Sequence, residues 1–343
     1  MRAYVPGEQP VDVNVIKLNT NENPYPPSPR VMQALAQING DNLRRYPDPQ
    51  CRKLRAVIAK LHNCAETQVF VGNGSDEILA LCTRAFVEDN QAIAFFEPSY
   101  SLYPVLAEIR NVKSRAIKLD KNFSWPDRQW RQPPADAALF FMTNPNAPAG
   151  ILYPKEEVAK FCRKSRGVVV LDEAYVDFSR YNCIDLALKL KNTLVLRTFS
   201  KSYSLAGLRL GYAIGAPELI AALYKIKDSY NVDRVAQELA TAALLDQTYM
   251  RANVRRIIAG RRKLSSGLLK LNFAVFPSET NFVWVKPPGI SAGQLYRLLC
   301  QQNIFTRFFN KNLTRDYLRI TVGTDRQINI LLKAVSKIIK ETK

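Results

Sequence analysis

A lysine sits among hydroxyls in the run Thr198-Phe199-Ser200-Lys201-Ser202-Tyr203-Ser204-Leu205-Ala206-Gly207-Leu208-Arg209. A primary amine is the side chain that forms Schiff bases with carbonyl compounds. Hydroxyls at 198, 200, 202 and 204, with a guanidinium at 209, are donors suited to a phosphate. One molecule that is both aldehyde and phosphate is pyridoxal phosphate. A solvated loop lysine, the commonest fate of that residue, fits the string equally well, so the rest of the chain has to decide.

Other chemistry-bearing residues follow apolar runs. Gly167-Val168-Val169-Val170-Leu171 runs straight into Asp172, with Tyr175 three residues on. A carboxylate at the end of a buried strand needs a cation or several donors. Asp172 therefore belongs either to a structural ion pair with an arginine or to a protonated pyridine nitrogen. Val69-Phe70-Val71 leads into Gly72-Asn73-Gly74-Ser75-Asp76-Glu77 and an apolar helix, so backbone N–H groups beside Ser75 form an anion site or a plain capped turn. Ala92-Ile93-Ala94-Phe95-Phe96 ends at Glu97-Pro98-Ser99-Tyr100. Tyr100 is placed to stack on a ligand ring or to fill the core. His62, the only histidine, ends a helical stretch and reads as a cap, without chemistry.

The elements that must position these groups alternate between strand and helix patterns from 65 to 215, which predicts an α/β fold with a mostly parallel central sheet flanked by helices. Strands are expected around 69–71, 92–96, 138–142, 168–171, 193–196 and 213–215, and helical segments from 217 to 271. A smaller C-terminal α+β unit follows. The expected organisation is an arm over 1–29 packing with the small domain, a large domain over 30–250 and a small one over 251–343. Four prolines between Pro24 and Pro29 keep the arm extended, and Ser28-Pro29 starts a helix over 30–37.

Composition closes off other classes. The chain has 343 residues and 47% apolar content, with no run long enough to span a membrane and no signal-peptide core at its start, so a cytoplasmic location is expected. Six scattered cysteines without CxxC spacing argue against a metal site and against a disulfide scaffold. The net charge of +19 is concentrated after residue 250, where 18 Lys and Arg face 4 Asp and Glu. There the basic residues alternate with Leu, Ile and Val at helical spacing, which favours the solvated face of an amphipathic helix over a nucleic-acid interface.

Taken together, Leu18-Asn19-Thr20-Asn21-Glu22-Asn23-Pro24-Tyr25, Arg45-Tyr46-Pro47-Asp48-Pro49, Gly72-Asn73-Gly74-Ser75-Asp76-Glu77, Leu171-Asp172-Glu173-Ala174-Tyr175, the Lys201 string and Leu318-Arg319-Ile320-Thr321-Val322-Gly323 resemble the fold type I aminotransferases, and more narrowly the histidinol-phosphate aminotransferase family. The resemblance spans residues 18 to 323. It implies that Lys201 carries the pyridoxal phosphate, Asp172 protonates its ring nitrogen, Tyr175 and Asn146 approach the ring hydroxyl and Tyr100 stacks on the ring. It further implies that Ser75, Asp76, Ser200 and Arg209 hold the phosphate, with Tyr46 reaching in from the partner subunit of a homodimer. Arg307 and Arg319 would grip the acidic group of a phosphorylated amine or a dicarboxylate, lined by Tyr25 and Asn23. The chain departs from the family string Asn-Pro-Asn-Asn-Pro-Thr-Gly at Asn144-Pro145-Asn146-Ala147-Pro148-Ala149-Gly150. Either Asn146 or Asn144 reaches in from a shifted turn, or Tyr175 acts alone. Threonine-phosphate decarboxylation, aromatic aminotransfer and, from a different class, basic nucleic-acid binding remain as alternatives.

Overall fold

The computed structural model describes residues 4–10, 14–125 and 132–342. Its strands are β1 (Ile16–Lys17), β2 (Val69–Gly72), β3 (Ala92–Glu97), β4 (Lys113–Lys118), β5 (Ala137–Thr143), β6 (Val168–Asp172), β7 (Thr193–Thr198), β8 (Gly211–Gly215), β9 (Ala274–Val275), β10 (Phe282–Lys286), β11 (Ile304–Phe305), β12 (Arg307–Phe308) and β13 (Leu318–Thr321). Seven of them form the central sheet in the order β2-β8-β7-β6-β5-β3-β4. The pairs from β7 to β4 are parallel, and β8 alone runs antiparallel to both its neighbours. The sheet is thus mostly parallel, as its continuous apolar strands require when both faces are covered.

Alternation along the strands divides the core in two. Phe70, Ile93, Phe95, Leu139, Phe141, Val170, Leu194 and Leu196 face one way, onto the helices Gly74–Phe86, Leu102–Arg110 and Pro217–Ile226. Val71, Ala94, Phe96, Phe140, Met142, Leu171 and Val195 face the other way, and that core runs on without a break into the C-terminal part through Ile257, Leu264, Val283 and Trp284. β4, the helix Leu102–Arg110 and β1 carry no clear sequence signal. β4 reads Lys-Ser-Arg-Ala-Ile-Lys and buries only Ile117, the pattern of an edge strand whose charges block further pairing.

A second, antiparallel sheet, β12-β13-β10-β9, packs with the helices Gln247–Lys270, Ala292–Cys300 and Asp325–Glu341. The last helix starts at a Thr324/Gln327 capping box, buries Ile328, Leu331, Val335 and Ile338, and leaves Lys333, Lys337 and Lys340 exposed. The boundary expected at 250/251 falls inside the helix Gln247–Lys270. The arm joins this part of the molecule, with β1 parallel to β11 and the Thr321 N–H donating to the Leu18 carbonyl at 2.9 Å.

The parallel strands β3, β5, β6 and β7 end at Glu97, Thr143, Asp172 and Thr198, side by side on one edge, where open α/β sheets bind ligands. At that edge β8 touches the first turn of the helix Gly74–Phe86. A Cβ on Gly211 would lie 2.8 Å from the Ser75 backbone nitrogen and 2.9 Å from the Arg197 carbonyl. Gly211→Ala therefore forces backbone apart, and is expected to cost about 1–3 kcal/mol of stability. Urea denaturation with an unchanged midpoint would contradict that packing.

Candidate active site

A cavity of about 720 Å³ opens at this strand edge. Its walls include Ser75, Asp76, Tyr100, Asp172, Tyr175, Ser200, Lys201, Arg209, Arg307 and Arg319, so ten residues predicted from different parts of the chain meet in one place. Contacts link them across the cavity. Arg209 Nη2 lies 3.6 Å from Asp76 Oδ2, and the Tyr100 hydroxyl donates to Asp76 Oδ1 at 3.1 Å. The Tyr100 ring meets Tyr103 edge-on at 5.7 Å, and Tyr103 donates its hydroxyl to Asp172 Oδ2 at 2.8 Å. Lys201 Nζ lies 5.9 Å from the centre of the Tyr175 ring and donates to the Thr20 carbonyl at 3.2 Å.

Asp172 resolves one of the ambiguities of its sequence. It accepts from Tyr103 and from the Ala174 N–H at 3.1 Å, but no Lys or Arg nitrogen of the described residues pairs with it. The structural ion pair belongs to its neighbour: Arg197 Nε meets Glu173 Oε2 at 2.9 Å, and Arg197 Nη1 meets Asp177 Oδ1 at 3.1 Å. Burial, opposed by the Tyr103 and Ala174 hydrogen bonds, pushes the Asp172 carboxyl up to about 6. Burial also pulls the Lys201 amine down to about 8, helped by the positive charge of Arg319. An amine held there is neutral often enough to attack a carbonyl near neutrality.

The phosphate-type donors gather at the start of the helix Gly74–Phe86. Gly74 has φ +79°, and a Cβ there would reach Arg209 Nη2 at 3.0 Å. Arg209 itself is left-handed at φ 52°, which aims its guanidinium back at that helix start. Ser200 accepts from Thr198 Oγ1 at 3.0 Å and lines the same wall. Pyridoxal phosphate fits this donor set. A buried carboxylate without a cation suits a protonated ring nitrogen, a desolvated amine suits the aldehyde, and the helix start with Ser75, Ser200 and Arg209 suits the phosphate.

Arg307 and Arg319 are direct partners across β12 and β13. Both guanidiniums stand over Phe309, at 5.0 and 5.3 Å from its ring centre. Arg319 Nη2 donates to the Asn19 carbonyl at 2.9 Å, and its buried Nε has no partner among the described residues. Arg307 donates to the Pro6 and Val5 carbonyls, each at 3.0 Å. Two adjacent guanidiniums, one with a spare N–H, can receive a carboxylate or phosphate bidentately.

The other predicted residues lie off the cavity wall of this chain. Asn146 does not face the cavity: its amide donates to the Pro98 carbonyl at 3.3 Å and accepts from the Ala149 N–H at 3.2 Å. Asn144 is likewise committed, accepting from the Tyr153 N–H at 2.9 Å. Ala147 takes the place on the wall and brings no donor. Asn23 and Tyr25 lie off the cavity of their own chain. Asn23 donates to the Lys201 and Ser202 carbonyls at 2.9 and 3.3 Å, and Tyr25 packs under Arg256 at 5.3 Å. Tyr46 is 77% exposed and stacks on Tyr230 at 4.4 Å, away from the cavity. His62 is no charged cap. Burial, with Arg197 nearby, drops its pKa to about 3, and its Nε2 pairs with the Tyr212 hydroxyl at 2.9 Å. Tyr4, Thr20, Asn21, Tyr103 and Phe309 also belong to the site. None carried a periodic or motif signal beyond the polar arm string.

The family profile described as aminotransferase class I and II matches residues 13–335. The histidinol-phosphate aminotransferase of Syntrophotalea carbinolica is 45% identical over 339 residues, covering 98% of this chain and 97% of its own. Histidinol-phosphate aminotransferase 1 of Trichormus variabilis is 42% identical over 341 residues, 99% of this chain and 97% of its own. The crystal structure of histidinol-phosphate aminotransferase from Sinorhizobium meliloti in complex with pyridoxal-5'-phosphate superposes with a TM-score of 0.86 at 25% identity, covering 96% of this chain and 92% of its own.

The raised Asp172 carboxyl makes a prediction for the cofactor-free protein. Between the ordinary carboxylate pKa and about 6 the folded state holds the extra proton, so rising pH destabilises it through that window. Asp172→Asn removes this cost, and its thermal midpoint is expected above wild type at neutral pH, with the gap closing in acid. A gap that persists unchanged in acid would contradict the burial of an uncompensated charge. Sequence, fold and cavity agree: the chain belongs to the class I and II aminotransferase family.

Proposed function

We propose that the protein is a pyridoxal-phosphate-dependent histidinol-phosphate aminotransferase. It exchanges histidinol phosphate and 2-oxoglutarate for imidazole-acetol phosphate and glutamate in two half-reactions at one site. The observation that carries the reading is the convergence of Lys201, Asp172 and Tyr175 opposite the Arg307/Arg319 pair in one cavity. Relatives at 42–45% identity along the whole chain supply the substrate class.

When bound, pyridoxal phosphate supplies the aldehyde that takes up the amino group and the ring that accepts electrons freed at the substrate carbon. Lys201 Nζ would hold the aldehyde in the resting enzyme and would carry the proton to and from the substrate carbon. Asp172 would keep the ring nitrogen protonated, and that cation would give the carboxylate an ion-pair partner. Tyr175 would donate its hydroxyl to the ring oxygen, and Tyr100 would flank the ring. Ser75, Asp76, Ser200 and Arg209 would surround the phosphate, Asp76 through its place in the helix turn and its contacts with Tyr100 and Arg209. Arg319 and Arg307 take the substrate's phosphate or the dicarboxylate's distal carboxylate in turn. We further propose a cytoplasmic homodimer in which the exposed Tyr46 completes the phosphate site of its partner, and a division into an arm, a large domain and a small C-terminal domain.

Incubation with histidinol phosphate and 2-oxoglutarate is expected to yield glutamate and imidazole-acetol phosphate, and Lys201→Ala is expected to abolish both while leaving the circular dichroism spectrum unchanged. Release of carbon dioxide from threonine phosphate without glutamate formation would replace this reading with the decarboxylase. Arg319→Ala is expected to slow both half-reactions, by the equivalent of about 2–5 kcal/mol in kcat/KM for a lost charge-assisted pair. Single-turnover rates that fall only with glutamate would remove the phosphate from this arginine.

A further inference from the structure

Tyr175 has one polar neighbour that the mechanism above does not use. Asn21, in the arm, donates its side-chain Nδ2 to the Tyr175 hydroxyl oxygen at 3.0 Å. Asn21 is buried and left-handed, at φ 56°. It is held on every side by β13 and the turn before β10. Its backbone N–H donates to Thr321 Oγ1 at 3.0 Å, its carbonyl accepts from Asn281 Nδ2 at 2.9 Å, and its Oδ1 accepts from Thr321 Oγ1 at 3.1 Å.

These bonds settle which way the amide points. The Thr321 oxygen accepts from the Asn21 backbone, and its single proton goes to Asn21 Oδ1. Turning the amide over would leave that buried proton without an acceptor, a cost of about 1–3 kcal/mol. Nδ2 is thereby committed to Tyr175. With an N–H directed at its oxygen, the phenol is an acceptor on the arm side, and its own proton must be directed elsewhere, toward the cavity it lines. The other groups around the phenol do not set this direction. Phe282 meets the ring edge-on, Lys201 lies over its face, and Arg319, Asp172 and Tyr4 act on it through charge, with no hydrogen bond.

We propose that Asn21 is a positioning residue that directs the hydroxyl proton of Tyr175 into the cavity, and that Thr321 fixes Asn21 for that purpose. The proposal rests on the reading of the cavity as a pyridoxal-phosphate site. It gives the arm a defined task there. The Ala147 side chain offers no donor to the cavity, so the strength and aim of the Tyr175 hydroxyl govern how well an anionic ring oxygen is held. An N–H donated to the phenol oxygen polarises its O–H and makes it the stronger donor.

The test is a spectrophotometric pH titration of the holoenzyme without substrate, following the absorbance of the lysine-bound cofactor. Weakening the donor to the ring oxygen makes the neighbouring proton harder to remove, so the midpoint rises. Tyr175→Phe is expected to raise it most. Asn21→Gly, which keeps the left-handed backbone, is expected to raise it by about half a pH unit, and by nothing further when combined with Tyr175→Phe. Thr321→Val is expected to match Asn21→Gly, and Thr321→Ser to restore the wild-type midpoint, which covers the case of an unstable glycine variant. A shift of equal size in both backgrounds, or none in Asn21→Gly and Thr321→Val, would overturn the proposal and leave the cofactor assignment standing. A wild-type protein with no titrating cofactor band would overturn both.

Discussion

A carboxylate buried at the end of β6 with no ion-pair partner among the described residues is the constraint on which the rest of the site depends. Removing an ion from water costs several kcal/mol unless a partner compensates, and Asp172 has two hydrogen-bond donors and no paired Lys or Arg nitrogen among the described residues, the Lys201 amine acting on it only through charge. The next residue along has the opposite arrangement, since Glu173 is matched by Arg197, itself shared with Asp177. Two adjacent acids on one strand end thus divide the labour. Glu173 closes the structure beneath the lysine loop, and Asp172 keeps an unmet demand for a cation facing the cavity. The ion pair extends to that loop, because Asp177 also accepts from the Ser202 hydroxyl, one residue past Lys201.

The arm supplies the other half of the constraint. Residues 18–23 form a polar seam between the two sheets, and successive groups of it serve different parts of the cavity. The Asn19 carbonyl meets Arg319, the Thr20 carbonyl meets the Lys201 amine, the Asn21 amide meets Tyr175 and the Asn23 amide meets the backbone of the lysine loop. Every one of these is a hydrogen bond from a short, extended, proline-bounded segment. Beyond Leu18, whose N–H and carbonyl bond Phe305 and Thr321, the segment has no ladder of its own to satisfy, so its amides and carbonyls are free to be spent on the site. This accounts for the density of asparagine in the arm better than direct contact with substrate does.

Much of the fold was legible because a parallel sheet covered on both faces writes itself as unbroken apolar strands. β3, β5, β6 and β7 stood out for that reason, and their C-terminal ends located Asp172 and Lys201. β4 and the helix Leu102–Arg110 escaped because an edge strand of alternating charge has no such run. Within the site, Lys201, Asp172, Arg209 and the arginine pair were legible as residue types at strand ends or in specific strings. Asn146, Asn23 and Tyr25 do not line the cavity of their own chain, because a motif fixes neighbours along the chain and not the direction of a side chain. Asn146 turned inward to close its own loop, while Asn21, two residues before Asn23, reached the phenol. Tyr103 and Phe309 were invisible for a related cause: in a sequence, an aromatic that hydrogen-bonds an acid or carries two guanidiniums looks like any core residue.

The central claim is that the desolvated amine of Lys201 is where the cofactor's aldehyde is held. The direct measurement is to load the protein with pyridoxal phosphate, reduce with borohydride, digest, and locate the pyridoxyl group by mass spectrometry. The account predicts one pyridoxyl group per chain, on the peptide containing Lys201, and none in Lys201→Ala. Label spread over surface lysines, or a single site on another residue, would contradict it.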